Sequence, residues 1–253
     1  MRKNIIWIVF IFSILSVNVW SQENGASEED GNVILKKVDE NPMPESFESY
    51  RKLINEEPDG SKKEFIFFTV KKGKDKVAML YISPASEKGR ATLRLGDNMW
   101  LYIPNVGKPI RITSMQSVVG GVFNNSDIMR LDYSVEYEAT IFEQNNSLYI
   151  LDLKAKTQTV AYDKLKMWVD KKNTMVTKVE CYTASGTLIK TLDFKNLKDF
   201  GDGIMRPAVI ETSSPLNKGY RSLMIYSQVK PRKLQDEVFT LEYLSRIGEL
   251  RLD

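Results

Sequence analysis

Residues 92–104, TLRLGDNMWLYIP, show a pattern with a period of two residues, the spacing of side chains along a β-strand. This pattern predicts the kind of fold. Two runs rich in strand-forming residues flank the turn GDN at 96–98. Turns this short join antiparallel neighbours, so we predict a hairpin whose first strand ends at Leu95 and whose second strand begins at Met99. Along each strand the side chains alternate between the two faces of the sheet.

The same period of two continues on both sides of this hairpin, and short turns rich in Asn, Asp and Gly separate the segments. Further strands are predicted at 65–70, 77–82, 137–142, 147–153, 164–169, 175–183, 187–194, 204–212 and 220–229. A meander of this length must curl, and its apolar face needs a cover. The chain is therefore predicted to be mainly β, with a curved antiparallel sheet and a hydrophobic concave face.

Two helices are predicted before the first strand. One lies at 33–38, and the second covers 45–55, where Phe47, Tyr50 and Leu53 recur at helical spacing. This second helix has two possible roles. It either fills the concave face completely and makes an ordinary core, or it covers the face partly and leaves a groove.

Residues 113–133 have weak strand character and carry the pair Gly120-Gly121. We predict a long loop with one or two short helices there, a segment of the kind that acts as a lid. The globular domain is expected to span 45–247, followed by a short C-terminal tail at 248–253.

The N-terminus reads as a secretory signal at 1–21, with Arg2 and Lys3 before an apolar run at 5–17. Cleavage is expected, and an uncleaved inner-membrane anchor is the alternative. Residues 22–44 are predicted to be a flexible lead-in. Removal of the signal would lower the net charge from +3 to +1. A net charge this close to zero does not indicate binding of nucleic acid.

The composition excludes several classes of enzyme. The chain has no histidine, so Ser-His-Asp and Cys-His nucleophile systems and the usual zinc sites are impossible. Cys181 is the only cysteine and excludes an internal disulfide. No phosphate-binding or dinucleotide motif is present. We predict neither a catalytic site nor a metal or cofactor.

Methionine is unusually frequent on the face that the alternation turns inward. Its long, polarizable side chain can repack around flexible ligands, although methionine also fills gaps in ordinary cores. The pattern thus leaves open a closed core or a cavity. The residues expected to line such a cavity are Met79, Met99, Leu101, Ile103, Leu165, Met167, Val169, Met175, Val179, Met205 and Met224, with Trp100, Tyr102, Val122 and Phe123 at its rim or lid.

Four segments, taken in order, resemble the outer-membrane lipoprotein-sorting (LolA-like) family. They are LGDNMWLYIP at 95–104, KPIRI at 108–112, LKMWVD at 165–170 and DEVFT at 236–240. The likeness runs from about residue 47 to residue 244, which is most of the chain.

This resemblance implies an unclosed antiparallel half-barrel of ten to eleven strands wrapped around a small helical lid. It also implies a monomeric periplasmic carrier that holds lipoprotein acyl chains between an inner-membrane release complex and an outer-membrane acceptor. In that family an arginine bonds to carbonyls of the lid, and Arg90, Arg94 and Arg111 are the candidates here. Two rival functions remain: an envelope sensor or scaffold of the same fold, and an enzyme acting on lipid without histidine.

Overall fold

The computed structural model describes residues 30–41 and 43–251. The predicted signal at 1–21 lies outside the described residues. The elements are α1 (Gly31–Glu40), β1 (Ser46–Glu56), β2 (Lys62–Lys72), β3 (Lys76–Ser83), β4 (Ala91–Leu95), β5 (Asn98–Tyr102), β6 (Ile110–Ile112), α2 (Asn125–Ile128), α3 (Tyr133–Glu136), β7 (Tyr137–Gln144), β8 (Leu148–Ala155), β9 (Lys164–Asp170), β10 (Val176–Tyr182), β11 (Leu188–Asp199), β12 (Met205–Ser213) and β13 (Arg221–Pro231), followed by two 3-10 helices at Asp236–Phe239 and Leu244–Leu250.

All thirteen strands form one antiparallel sheet in the order β6-β5-β4-β3-β2-β1-β13-β12-β11-β10-β9-β8-β7. Strands consecutive in sequence therefore pair with each other, except β6 and β7, and β1 also pairs with β13. The sheet does not close, because β6 and β7 are its two edges. The mainly β, unclosed antiparallel fold predicted from the sequence is confirmed, with β1 and β6 added to the predicted meander.

The predicted helix at 45–55 is wrong, because this segment forms β1. Every second residue of β1 is buried, namely Phe47, Ser49, Arg51, Leu53 and Asn55. Three of these five residues are polar, so the buried side of β1 lacks the alternating apolar pattern that predicts a strand. The apolar residues of the segment, Phe47, Tyr50 and Leu53, instead recur at helical spacing.

One face of the sheet, here called the inner face, packs against α1, α2 and α3. Strand residues such as Met79, Leu151 and Met167 form a continuous core there with Ile34 and Leu35 of α1. The Asp30 side chain caps α1 by accepting a hydrogen bond from the Asn32 backbone N–H.

Helix α1 approaches β7 so closely that a Cβ on Gly31 would lie 2.7 Å from the Ala139 carbonyl oxygen. The predicted lead-in at 22–44 therefore contains an ordered helix at 31–40, in agreement with the helix expected near 33–38. Among the described residues, no helix combines the length and apolar character needed to cross a bilayer.

The opposite, outer face carries a second core. The two C-terminal 3-10 helices cover β2, β3 and β4 there, and Val238, Phe239, Leu244 and Ile247 pack against strand residues of the other parity such as Phe68. The second 3-10 helix continues to Leu250, so residues 248–250 of the predicted tail belong to this cover.

Candidate lipid site and lid

Residues 113–136 join β6 to β7 and carry α2 and α3. We call this segment the lid. Because β6 and β7 are the two edges of the sheet, the lid runs from one edge to the other across the inner face. Its buried apolar side chains belong to the inner core: Val118, Phe123, Ile128, Met129, Leu131 and Tyr133. The predicted lid with short helices is thus present in the fold.

Two buried arginines of the sheet hold the lid by its backbone. Arg51 on β1 donates from Nη1 to the Ile128 carbonyl oxygen at 2.8 Å. Arg94 on β4 donates from Nη1 to the Met129 carbonyl oxygen at 3.2 Å and forms an ion pair with Glu136 of α3. Burial raises the pKa of the Glu136 carboxyl, and the Arg94 charge opposes that effect.

A third polar contact fastens the lid from the far half of the sheet. Lys190 on β11 is buried and donates from Nζ both to the Val122 carbonyl oxygen and to Asp127 Oδ2, the latter at 2.9 Å. The Tyr162 hydroxyl donates to the other Asp127 oxygen at 2.8 Å. The same carboxylate forms a capping box with Asn124 at the start of α2, so it joins the lid helix to β11 and to the loop between β8 and β9.

At Gly121, the second residue of the glycine pair, the lid backbone lies directly against the Asn55 side chain of β1. A Cβ on Gly121 would lie 2.2 Å from Asn55 Oδ1, and Asn55 Nδ2 donates to the Val119 carbonyl oxygen at 3.4 Å. The Ser222 hydroxyl accepts a hydrogen bond from the Val122 N–H at 3.0 Å and donates to Asn55 Oδ1 at 2.8 Å. Val119 has a φ of 47°, a left-handed conformation that is strained for a β-branched residue.

Of the three arginine candidates, Arg94 does bond to a lid carbonyl. Arg90 pairs with Glu87, and Arg111 donates to Asn98, so neither fastens the lid. Sequence reasoning missed Arg51 because it assigned that segment to a helix. The buried positions of β1 alternate, but Ser49, Arg51 and Asn55 occupy three of them, so the sequence carries no clear apolar signal for this strand.

Two adjoining cavities remain between the inner face and its cover. The larger has a volume of about 340 Å³ and lies between the C-terminal end of α1, the lid and strands β1, β2, β12 and β13. The smaller, of about 40 Å³, lies below α2 and α3. Residues common to both linings are Arg130, Tyr133, Phe194, Ile210 and Tyr226. In the described part of the chain, the cover therefore fills most of the predicted groove, and these two cavities remain within it.

The predicted lining residues fall into three groups. Met175 lines the larger cavity, and Phe123, Leu165 and Val179 line the smaller one. Those packed in the inner core are Met79, Met99, Met167, Val169 and Met224, and Val122 is buried in the lid. Partly exposed residues that belong neither to the inner core nor to a cavity lining are Leu101, Ile103 and Met205.

Trp100 and Tyr102 pack against the outer core instead of the cavity rim. Both stand on the opposite parity from Met99, which is in the inner core. Their side chains accordingly face the C-terminal 3-10 helices, whose position the strand pattern does not reveal.

The larger cavity is amphipathic. Its lining combines apolar side chains, namely Val38, Met43, Phe47, Val176 and Phe194, with three arginines, Arg51, Arg130 and Arg206, that act on Tyr226. Burial acts to raise the pKa of the Tyr226 phenol, but the three guanidinium charges outweigh it and lower that pKa to about 8. None of these three arginines is singled out in the sequence analysis.

The chemistry of the site offers no catalytic set among the described residues. Burial raises the pKa of the Cys181 thiol well above its ordinary range, which keeps the thiol protonated and unreactive. Within the same described part of the chain, no group of acidic or thiol side chains is placed to hold a metal ion.

Comparisons with known proteins agree with this architecture. A family model described as "-like: Uncharacterized protein" matches residues 73–246. A LolA superfamily protein from Nitrosomonas europaea is 32% identical, with a TM-score of 0.78 over 85% of this chain and 100% of that one. The chain belongs to the LolA superfamily.

Two further solved structures share the fold. A DUF1329 family protein from Desulfovibrio piger is 22% identical, with a TM-score of 0.76 over 85% of this chain and 97% of that one. A putative outer membrane lipoprotein-sorting protein domain from Vibrio parahaemolyticus is 21% identical, with a TM-score of 0.74 over 85% and 98%. No curated protein matches the chain significantly.

Proposed function

We propose that this protein is a periplasmic carrier that shields acyl chains of lipoproteins or other lipids on its inner face, in the sorting of lipoproteins to the outer membrane. The observation that carries the proposal is an apolar face covered by a lid whose fastening contacts are polar. The predicted export signal and the superfamily membership support the periplasmic setting.

The binding energy is available without a catalytic or metal site. Burial of an acyl chain yields about 0.8 kcal/mol per CH₂, so one long chain contributes on the order of 10 kcal/mol. The larger cavity, at about 340 Å³, is near the lower end of the range for small-molecule sites. A long chain therefore requires the lid to move outward, and the apolar side chains of the lid are then replaced by the ligand.

The lid contacts determine how this exchange occurs. The contacts made by Arg51, Arg94 and Lys190 are local and few, and they end on the lid backbone or on the acids Asp127 and Glu136. When the lid leaves, the arginines and the lysine remain on the sheet. The apolar face opens, and closure of the lid over an empty face re-forms the same contacts and favours release.

Native mass spectrometry of protein purified from its own envelope without detergent tests this proposal. We expect bound acyl lipid, uptake of a diacylated lipopeptide, and transfer of that lipopeptide to acceptor vesicles. Protein that is free of lipid and also refuses the lipopeptide would overturn the carrier assignment. Uptake without transfer would favour the sensor or scaffold.

A substitution in the lid fastening tests the route. Lys190→Met leaves Asp127 buried without its cation, and breaking a buried ion pair costs about 3–5 kcal/mol, so the lid should open more often. We expect faster lipopeptide uptake and faster proteolysis within 113–136. Lys195→Met, on the same strand but paired with Glu211 at the surface, is the matched control and should behave as the wild type.

A further inference from the structure

The polar side of the larger cavity holds three guanidinium groups close together. The Arg206 guanidinium carbon lies 4.6 Å from the centroid of the Tyr226 ring, and that of Arg51 lies 5.7 Å from the same ring. Arg130 lines both cavities and stacks on Tyr133 at 4.7 Å. Strands β1, β12 and β13 and the lid thus bring three positive charges to one wall.

These groups have few protein acceptors. A guanidinium carries five N–H donors and keeps its charge at any ordinary pH. Arg51 donates from its terminal nitrogens to the Ile128 carbonyl oxygen, Thr69 Oγ1 and the Met79 sulfur. Arg130 donates to the Tyr133 hydroxyl at 2.9 Å, and within the described residues the acceptor of Arg206 is the Met43 sulfur, a weak one. The Nε atoms of Arg51 and Arg206 are buried and meet no acceptor in the described part of the protein.

Asp39 and Glu136 lie close enough to stabilise the Arg130 charge, but neither forms an ion pair with it. Among residues 30–41 and 43–251, none of the three arginines forms an ion pair. The acids that line the same cavity are Asp39, Glu40, Glu45 and Asp132. Asp132 pairs with Lys71 at 2.6 Å, and Asp39 accepts from the Tyr133 and Ser134 backbone N–H groups. Buried charges in proteins are ordinarily paired, so this cluster is organised for an acceptor from outside the chain.

We infer that Arg51, Arg130 and Arg206 bind the phosphate or carboxylate group of an acyl-chain ligand. The inference rests on the proposed function and narrows it to anionic lipids. Arginine forks match the geometry of phosphate and carboxylate oxygens, and hydrogen bonds between charged groups are about twice as strong as neutral ones. The apolar side chains of the same cavity, such as Phe47 and Phe194, supply the surface for the first part of the chain.

Calorimetric titration of the full-length protein, stripped of bound lipid, tests the inference with two lipids of identical chain. Palmitoyl lysophosphatidic acid carries a phosphate, and monopalmitoylglycerol does not; inorganic phosphate alone forms the third arm. We expect the phosphate-bearing lipid to bind at least about tenfold more tightly than the neutral one, the size of effect that charged hydrogen bonds give. Phosphate alone should bind far more weakly than the lysophosphatidic acid.

The variant Arg206→Gln should bring the ratio of the two affinities close to one. Arg246→Gln is the matched control, because Arg246 is an exposed arginine paired with Glu249 outside the cavity, and it should keep the full preference. Circular dichroism of both variants verifies that they are folded.

The outcomes separate the two proposals. Equal affinity for the two lipids would overturn the anion site and leave the carrier intact. Binding of inorganic phosphate with no gain from the acyl chain would assign the arginines to a free anion and overturn the headgroup assignment. Failure of both lipids to bind would overturn the carrier proposal itself.

Discussion

At the scale of single residues, the inner face of this sheet carries buried cationic side chains that contact the lid. Arg51, Arg94 and Lys190 are buried on strands, yet each donates to the backbone of the lid. These residues stabilise the closed position of the lid. A buried cation that loses its hydrogen-bond partners is no longer compensated for its removal from water. Their chemistry therefore couples lid position to stability.

The ion pair between Arg94 and Glu136 gives a direct test of this coupling. Arg94→Met leaves the Glu136 carboxylate buried without a cation, and we expect the free energy of unfolding to fall by about 3–5 kcal/mol. Urea denaturation measures the change. The double variant Arg94→Met/Glu136→Met should recover much of the loss, and a double variant no more stable than the single one would contradict the argument.

Tyr226 makes a prediction about pH. Its pKa is lowered from the ordinary value of 10.0 to about 8 because the arginine charges outweigh the effect of burial. A lowered pKa means that the folded state favours the phenolate, so this contribution to stability is complete above about pH 10 and is lost as the pH falls through about 8.

The ultraviolet absorbance of tyrosinate follows this titration. We expect one phenol to ionise near pH 8 in the wild type and none in Tyr226→Phe. In Arg206→Gln the midpoint should move back toward 10, since one of the three charges is gone. An unchanged midpoint in that variant would show that Arg206 does not act on Tyr226.

At the scale of elements, the lid is held in place by the topology of the sheet. The meander runs outward from β1 to the edge strand β6, and the lid then carries the chain across to β7 at the opposite edge. A segment that must span the inner face has its length set by the sheet. The three-residue β6 is short, as is common for edge strands that avoid pairing with other chains.

Gly121 tests the fit between the lid and β1. The new Cβ of Gly121→Ala would lie within 2.5 Å of three Asn55 side-chain atoms, and Asn55 is held by Ser222. We expect the lid to shift outward and amide hydrogen exchange in 117–128 to accelerate. Gly248→Ala, whose Cβ would make only an ordinary contact at 3.6 Å with Leu80, should leave the exchange unchanged.

At the scale of the whole molecule, one sheet separates two cores with different tasks. The inner core includes the lid and the cavities, whereas the outer core is closed by the C-terminal 3-10 helices. Under the proposed function, a ligand that displaces the lid would change the inner core alone. We expect the outer core to keep β2, β3 and β4 in register in that case.

Phe239 tests this division. It is buried in the outer core, and Phe239→Ala should lower the free energy of unfolding by about 3–5 kcal/mol, as for other buried phenylalanines. Affinity for acyl lipid should stay within twofold of wild type at a temperature where the variant is folded. Phe123→Ala, at the smaller cavity, should alter lipid affinity as well as stability, and thermal denaturation beside lipid titration distinguishes the two.

The sequence by itself determined the strands, the antiparallel meander, the lid segment and the superfamily. Period-two alternation and short turns are local signals, and eleven strand segments and the loop at 113–133 follow from them. Arg94 could be proposed as a lid arginine by resemblance. The one long failure was β1, where polar Arg51 and Asn55 occupy buried positions and hide the alternation.

Only the tertiary structure decided which charges are buried and what they touch. Arg51, Arg130, Arg206 and Tyr226 lie far apart in the chain and meet because β1 pairs with β13 and the lid crosses the inner face. The tertiary structure also decided the environment of Trp100, which packs in the outer core because the C-terminal 3-10 helices cover that face of the sheet. The physical reason is that alternation along a strand assigns each side chain to one of two faces of the sheet. It does not identify the segment that packs on either face, and that segment determines the environment of the side chains there.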